Sequence, residues 1–233
     1  MEVPGAGGRH LSSYLLLVLA STAFVGTHFL MSHPMRKELL RIFRFNGFML
    51  VYSTVSLLTF GWMAFEFGRA PKDAPLWLAG DIVWIVATAI MLMASILFVG
   101  SFVRNPSLPG MPDKMATQKP FGVYKVTRHP MMWSFAMWGV AHILVAARPD
   151  NFIFSGAIIF LALVGAKAQE IKKARLVGVE WDAWLRQTSF GLRFGQIGRV
   201  GFFPFAEGLT LWLGASWAHG YFAGFPAGVF RWL

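Results

Sequence analysis

Five long apolar stretches constrain this chain more than any other feature of its sequence. They lie at residues 11–30, 47–67, 76–102, 131–147 and 152–168. About 20 apolar residues in an α-helix cross the hydrocarbon core of a bilayer, which is roughly 30 Å thick. A sixth stretch, 200–222, is less apolar because it carries Pro204 and Glu207. It could form a re-entrant or interfacial hairpin, but we predict that it also crosses. The sequence therefore predicts an all-α protein, a polytopic bundle of about six transmembrane helices.

The composition indicates a lipid bilayer as the main partner. Of the 233 residues, 56% are hydrophobic and only 14% are charged, whereas soluble domains carry about 25% charged residues. The net charge is +10, and the basic residues lie between the apolar stretches. That placement fits anionic lipid headgroups better than nucleic acid, which we do not expect as a partner. The chain has no Cys, which excludes disulfides, thiolate metal sites and a Cys nucleophile.

The distribution of basic residues predicts the orientation. Of the 21 Lys and Arg residues, 16 fall in the connections 33–46, 101–130 and 167–199. The positive-inside rule assigns these connections to the cytoplasm and the N-terminus to the outer side. The first stretch could instead be a cleaved signal peptide. However, it is apolar as far as Leu30, lacks an Ala-x-Ala site and is followed by its basic residues, so we predict a retained helix.

One cytoplasmic connection has a helical pattern of its own. In residues 170–187, apolar side chains are spaced among charged ones, which predicts a helix that leaves the membrane along the cytoplasmic surface. Trp181 and Trp184 in this segment are interpreted as part of an interfacial aromatic belt. By contrast, residues 105–118 hold three Pro and a Gly, and this composition predicts an irregular connection.

Two histidines lie inside predicted membrane helices, where ionisable groups are costly and usually functional. They are His28 in the first helix and His142 in the fourth. Each could simply form a hydrogen bond with a neighbouring helix. Alternatively, two imidazoles that face one bundle interior could ligate a haem iron from opposite sides. His10 and His219, near the outer surface, and His33, just past the first helix, are interpreted as structural.

A second candidate set surrounds the start of the fourth helix, where the sequence reads Arg128-His129-Pro130. Proline is tolerated in the first turn of a helix, where its missing N–H costs nothing. This arrangement leaves Arg128 and His129 at the cytoplasmic membrane surface, positioned to hold an anionic group. Alternatively, Arg128 only anchors to lipid phosphate. Glu170, near the end of the fifth apolar stretch, could pair with Arg128 as a structural contact or join it in a site.

These residues resemble the NnrU family, bacterial integral membrane proteins associated with nitric oxide and nitrite metabolism. The segments that carry the resemblance are GTHFL at 26–30, FVGSF at 98–102, TRHPMMW at 127–133 and Ala141-His142. The resemblance covers most of the chain. It implies one NnrU-like transmembrane domain over residues 1–233, in the bacterial inner membrane with a periplasmic N-terminus.

NnrU proteins are similar to the plant and cyanobacterial 15-cis-ζ-carotene isomerase, a membrane enzyme that uses haem b. By this resemblance, His28 and His142 match the histidines proposed as haem ligands, and His129 matches the histidine of the shared Arg-His-Pro motif. The resemblance implies a haem b-dependent isomerase or redox protein with a lipophilic small-molecule substrate, linked to nitrogen-oxide or carotenoid metabolism. We assign catalytic roles to His129, Arg128 and Glu170.

A weaker resemblance links the chain to isoprenylcysteine carboxyl methyltransferases, membrane enzymes that use S-adenosylmethionine. Arg128-His129-Pro130 is shared, and Gly178 lies eight residues after Glu170, as in that pattern. The departures from the pattern are Met132, Trp181 and Trp184 in place of Tyr, and Gln169 in place of Glu. A membrane methyltransferase is therefore the first alternative function. A non-enzymatic membrane subunit for denitrification is the second.

Overall fold

A computed structural model describes residues 6–108 and 116–233, and within these ranges the regular structure is helical throughout. The α-helices are α1 (Ala6–Ser32), α2 (Arg36–Arg69), α3 (Asp81–Gly100), α4 (Pro130–Val145), α5 (Pro149–Val177), α6 (Val179–Gln187) and α7 (Phe202–Phe222). Short 3₁₀ turns lie at Gly122–Lys125, Phe194–Arg199 and Gly228–Arg231. The predicted all-α fold class is confirmed. Part of the predicted irregular connection, residues 109–115, lies outside the described residues and includes Lys114 from the charge count.

Within the residues that the structure describes, four helices are long and apolar enough to cross a membrane, namely Leu11–Ser32, Arg36–Arg69, Asp81–Gly100 and Pro149–Val177. Helix α4 is apolar but shorter, with 16 residues. Helix α7 has 21 residues and forms where the sixth stretch was predicted, but it is not among the four. The chain is thus a multi-pass membrane protein. The crossing of α7 and the orientation of the chain stay predictions.

The prediction of a connection over residues 33–46 is wrong for most of that range, because α2 already begins at Arg36. Residues 36–44 consist largely of Arg, Lys, Glu and Leu, which have good helix propensity despite their charge. The helix is interrupted at Arg44, whose φ of 55° and ψ of −177° are not helical. A positive φ is unusual for a residue other than glycine. The kink separates the basic start of α2 from its apolar remainder.

Two other predicted boundaries also differ. Helix α3 begins at Asp81 rather than at residue 76, after Gly80 in extended conformation. The carboxylate of Asp81 lies in the first turn, where it interacts favourably with the helix dipole. The predicted surface helix 170–187 is divided at Gly178, whose φ is 69°. Its first part continues α5 as far as Val177, and its second part is the separate helix α6.

The chain forms two compact units, one of Met1–Leu78 and Ala146–Leu161 and the other of Ala79–Val145 and Ala162–Leu233. In the first unit, aromatic rings pack in succession. The ring centres of Phe24 and Phe60 lie 5.5 Å apart, and those of Phe60 and Phe154 lie 6.1 Å apart. The fully buried Asp150 pairs with Lys72 across 2.7 Å.

In the second unit, α3 packs against both α4 and α7. Helix α7 comes very close at Gly208, where an added Cβ would lie 2.6 Å from the Cα of Ile96. Small residues allow such close approach between membrane helices. The hydrophobic cluster of this unit includes the fully buried Trp181 and Trp184. Their interpretation as an interfacial belt is therefore wrong, because both rings pack inside the protein.

Candidate functional site

Three residues predicted as catalytic form one cluster in the second unit. The Nε of Arg128 donates a short hydrogen bond to Oε1 of Glu170. The Nε2 of His129 lies 3.2 Å from the same oxygen. Lys167, one turn before Glu170 on α5, donates to Oε2 at 3.0 Å. The structure therefore brings Arg128, His129 and Glu170 together and adds Lys167 as a fourth member.

The local backbone explains why Arg128 reaches this position. Proline at position 130 begins α4 and ends the preceding connection. The backbone N–H of Arg128 donates to the carbonyl oxygen of Ser189 at 2.8 Å, and the hydroxyl of Thr127 donates to Phe190 at 2.8 Å. The Nη1 of Arg128 donates to the carbonyl oxygen of Thr188 at 3.0 Å. Arg128 thus joins the carboxylate of Glu170 to the chain that follows α6.

Burial determines the protonation of the cluster. Loss of water around the imidazole lowers the pKa of His129 below its usual range, and this outweighs the opposing effect of Glu170. Arg128 and Lys167 lower the pKa of His129 further. His129 is therefore neutral at pH 7. The cluster then holds two cations and one carboxylate, a balance that attracts an anionic or hydrogen-bond-accepting group.

Buried side-chain nitrogens near the ends of α4 and α6 lack a hydrogen-bond partner. Among the described residues, Nδ1 of His129, Nε1 of Trp181 and Nε1 of Trp184 are buried without a hydrogen bond. Such atoms are few in native proteins, and each calls for an explanation. An acceptor on a bound molecule would satisfy the two indole N–H groups. Nδ1 of His129 would instead need a donor, because Nε2–H of this neutral imidazole donates to the carboxylate of Glu170. An indole N–H is a hydrogen-bond donor, so Trp181 and Trp184 each present one unused donor.

The two histidines predicted as haem ligands lie in different units. In the first unit, Nδ1 of His28 lies 2.7 Å from the carbonyl oxygen of Phe24, and its ring centre lies 5.5 Å from that of Tyr52. In the second unit, Nδ1 of His142 lies 2.8 Å from the carbonyl oxygen of Trp138. Each imidazole is half-buried and bonded to the preceding turn of its own helix.

His142 and the charged cluster lie at opposite ends of α4. Thirteen residues separate His129 from His142, which corresponds to about 20 Å along a helix that rises 1.5 Å per residue. The sequence predicted them as two candidate sets, and the structure gives the distance between them. The cluster and the imidazole of His142 are thus two separate places in the second unit.

Sequence reasoning missed two neighbours. Lys167 lies three residues before Glu170 on one helix, a spacing that by itself predicts an ion pair. His219, which was interpreted as structural, has its ring centre 6.4 Å from that of His142. No local pattern links these two positions on different helices. The described part of the chain contains no group of three or more His, Cys, Asp or Glu side chains that could hold a metal ion.

Comparison with known proteins supports the family predicted from the motifs. No curated protein and no solved structure matches the chain. The family model described as NnrU protein matches residues 16–227, which covers nearly the whole chain and includes the charged cluster, His28, His142 and His219. The chain therefore belongs to the NnrU family.

Proposed function

We propose that this NnrU protein binds haem b, with His142 as an iron ligand, and has an isomerase or redox function in nitrogen-oxide or carotenoid metabolism. The observation that carries the proposal is the bond from Nδ1 of His142 to the carbonyl oxygen of Trp138. A carbonyl oxygen only accepts, so Nδ1 holds the proton and Nε2 carries the lone pair. Histidines that ligate metals use this arrangement, with the other ring nitrogen donating to a carbonyl or carboxylate.

His28 has the same tautomer in the first unit, because its Nδ1 donates to the carbonyl oxygen of Phe24. The sequence predicted it as the other iron ligand. Bound haem would supply a redox-active iron, and the imidazole that holds it would influence its reactivity. The chain orients each imidazole and surrounds it with apolar side chains, which keep it neutral.

Arg128, His129 and Glu170 act on a different part of the bound molecule. They lie about 20 Å along α4 from His142, too far to touch an iron held there. Their cationic balance and the unpartnered Nδ1 of His129 suit the polar end of a lipophilic substrate. The protein so described lies in the bacterial inner membrane, with its N-terminus in the periplasm and this cluster on the cytoplasmic side.

The visible absorption spectrum of the detergent-purified protein, expressed with ample haem precursor, tests the haem proposal. We expect a Soret band that His142→Ala removes or shifts. His33→Ala is the matched control, because His33 is exposed and its ring contacts only the adjacent Ser32 among the hydrogen bonds described. A haem-supplied preparation without visible absorbance would refute the proposal, as would a spectrum that His142→Ala leaves unchanged.

The assembled cluster favours a second candidate function, an S-adenosylmethionine-dependent membrane methyltransferase. Arg128, His129 and Glu170 would surround the charged end of that cofactor, and the unpartnered indole N–H groups would meet acceptor atoms. Equilibrium dialysis with labelled S-adenosylmethionine tests this function. We expect saturable binding that His129→Gln weakens at least tenfold and that Glu180→Gln, a change at an exposed carboxylate, leaves intact. Absence of saturable binding to the unaltered protein would rule it out.

A further inference from the structure

His142 has a close imidazole neighbour within its own unit. His142 lies near the C-terminal end of α4, and His219 lies near the C-terminal end of α7. Both helices pack against α3, which brings these two ends together. The ring centres of the two histidines lie 6.4 Å apart, and their planes are inclined by 34°.

Both rings show the same hydrogen-bonding pattern. The Nδ1 of His142 lies 2.8 Å from the carbonyl oxygen of Trp138, and the Nδ1 of His219 lies 3.4 Å from that of Phe225. The bond of His142 fixes its proton on Nδ1 and places the lone pair on Nε2, and the longer contact of His219 favours the same tautomer. This pattern is the outer-shell arrangement of metal-ligating histidines.

The distance between the rings fits a metal held from two opposite sides. Imidazole nitrogens lie about 2.0–2.1 Å from a bound metal and roughly 1.1 Å from their own ring centre, so ligands on opposite sides have ring centres about 6.3 Å apart. The observed separation of 6.4 Å agrees with this value. Adjacent ligands, at roughly right angles, would bring the ring centres to about 4.5 Å. The pair therefore has the spacing of axial ligands.

The surroundings of the pair are aromatic. The ring of Trp138 lies 4.0 Å from that of His142, and the ring of Phe225 lies 4.7 Å from that of His219. Trp84 of α3 lies next to Phe225, with ring centres 6.4 Å apart. Flat apolar rings suit a porphyrin. A porphyrin also supplies four nitrogens of its own, so that two imidazoles complete the coordination of its iron.

We propose that His219 is the iron ligand opposite His142, so that α4 and α7 of the second unit supply both axial imidazoles. This inference rests on the proposed haem function and changes one of its ligands. It assigns His28 a role other than iron ligation.

Electron paramagnetic resonance and near-infrared magnetic circular dichroism of the ferric protein test this assignment without any activity assay. Two axial imidazoles give a low-spin iron with characteristic signals in both spectra. We expect His219→Ala and His142→Ala each to lose the low-spin signal, while His28→Ala retains it together with the haem. His33→Ala is the control, because it replaces a histidine that lies outside α4 and α7.

Chemical rescue separates a lost ligand from a lost fold. In His219→Gly, added imidazole should restore the low-spin signal, because the free base enters the space left by the side chain. If His28→Ala abolishes the signal and His219→Ala preserves it, the inference fails while the haem function stands. If the unaltered protein takes up no haem, or holds a bare metal ion without porphyrin absorbance, both the inference and the haem function fail.

Discussion

Replacement of Glu170 by Gln tests whether the charged cluster stabilises the fold. The side chains of Arg128 and Glu170 are only 12% and 7% exposed, so loss of the carboxylate leaves a largely buried guanidinium without its counter-ion. Removing one partner of a buried ion pair costs about 3–5 kcal/mol. Lys167 is 65% exposed, and its contact adds at most about 1 kcal/mol.

The structure places the expected cost near the lower end of that range. Glutamine keeps an acceptor oxygen for Arg128, and the guanidinium also keeps its bonds to the carbonyl oxygens of Leu185 and Thr188. We expect Glu170→Gln to lower the free energy of unfolding by about 3 kcal/mol. For a chain of this length, that corresponds to roughly 6–12 °C in the midpoint of thermal unfolding.

Intrinsic tryptophan fluorescence of the detergent-solubilised protein, recorded at one fixed scan rate, measures the midpoint. The matched control is Glu180→Gln, which removes an exposed carboxylate from the neighbouring helix α6. The double variant Arg128→Met, Glu170→Met removes both charges and should recover part of the loss, since apolar residues often replace a buried ion pair at little cost. Equal midpoints for Glu170→Gln and Glu180→Gln would refute the reasoning.

Three further changes test the structure. Because burial lowers the pKa of His129, the unfolded chain binds a proton at this side chain below about pH 6.5 that the folded chain excludes. As the pH falls below this value, the free energy of unfolding of the unaltered protein should decrease more steeply than that of His129→Gln, by about 1.4 kcal/mol per pH unit. Parallel pH profiles of the two unfolding midpoints would contradict this. Gly208→Ala should destabilise the protein by about 1–3 kcal/mol because its Cβ meets a backbone atom of α3. Gly214→Ala, on the same helix and in open space, should be neutral or stabilising by up to about 1 kcal/mol. Equal melting midpoints of the two variants would contradict the close approach of α7 to α3. Trp184→Ala should lower the free energy of unfolding by about 3–5 kcal/mol. Trp217→Ala, at an exposed position, should lower it by less than half as much in the same assay. Comparable losses would show that Trp184 is not a core residue.

Sequence reasoning identified the charged cluster more completely than the imidazole pair. Arg128 and His129 are adjacent, and Pro130 marks the start of α4, so the sequence itself places them at a membrane surface. Glu170 follows an apolar stretch whose length carries it back to the same surface. Charged groups at one surface of a bundle have few partners to choose among, and the predicted pairing of Glu170 with Arg128 is confirmed.

Two of the wrong boundaries, at the start of α2 and the end of α5, have the same cause. The start of α2 and the end of α5 are charged, and hydropathy alone ends a segment where charge begins. Charged residues with long side chains nevertheless continue a helix well. At the start of α3 the error is the reverse, because residues 76–79 are mostly apolar but lie outside the helix that Asp81 begins.

The sequence by itself determined that this chain is a helical membrane protein, because apolar length is a local property that a bilayer selects directly. It also located the histidines and the Arg128–Glu170 pair along the chain. Only the tertiary structure decided that Trp181 and Trp184 are buried and that His219 lies beside His142. The physical reason is rotation about the helix axis: α4 and α7 are apolar around most of their circumference, so neither sequence marks the side that faces a neighbour.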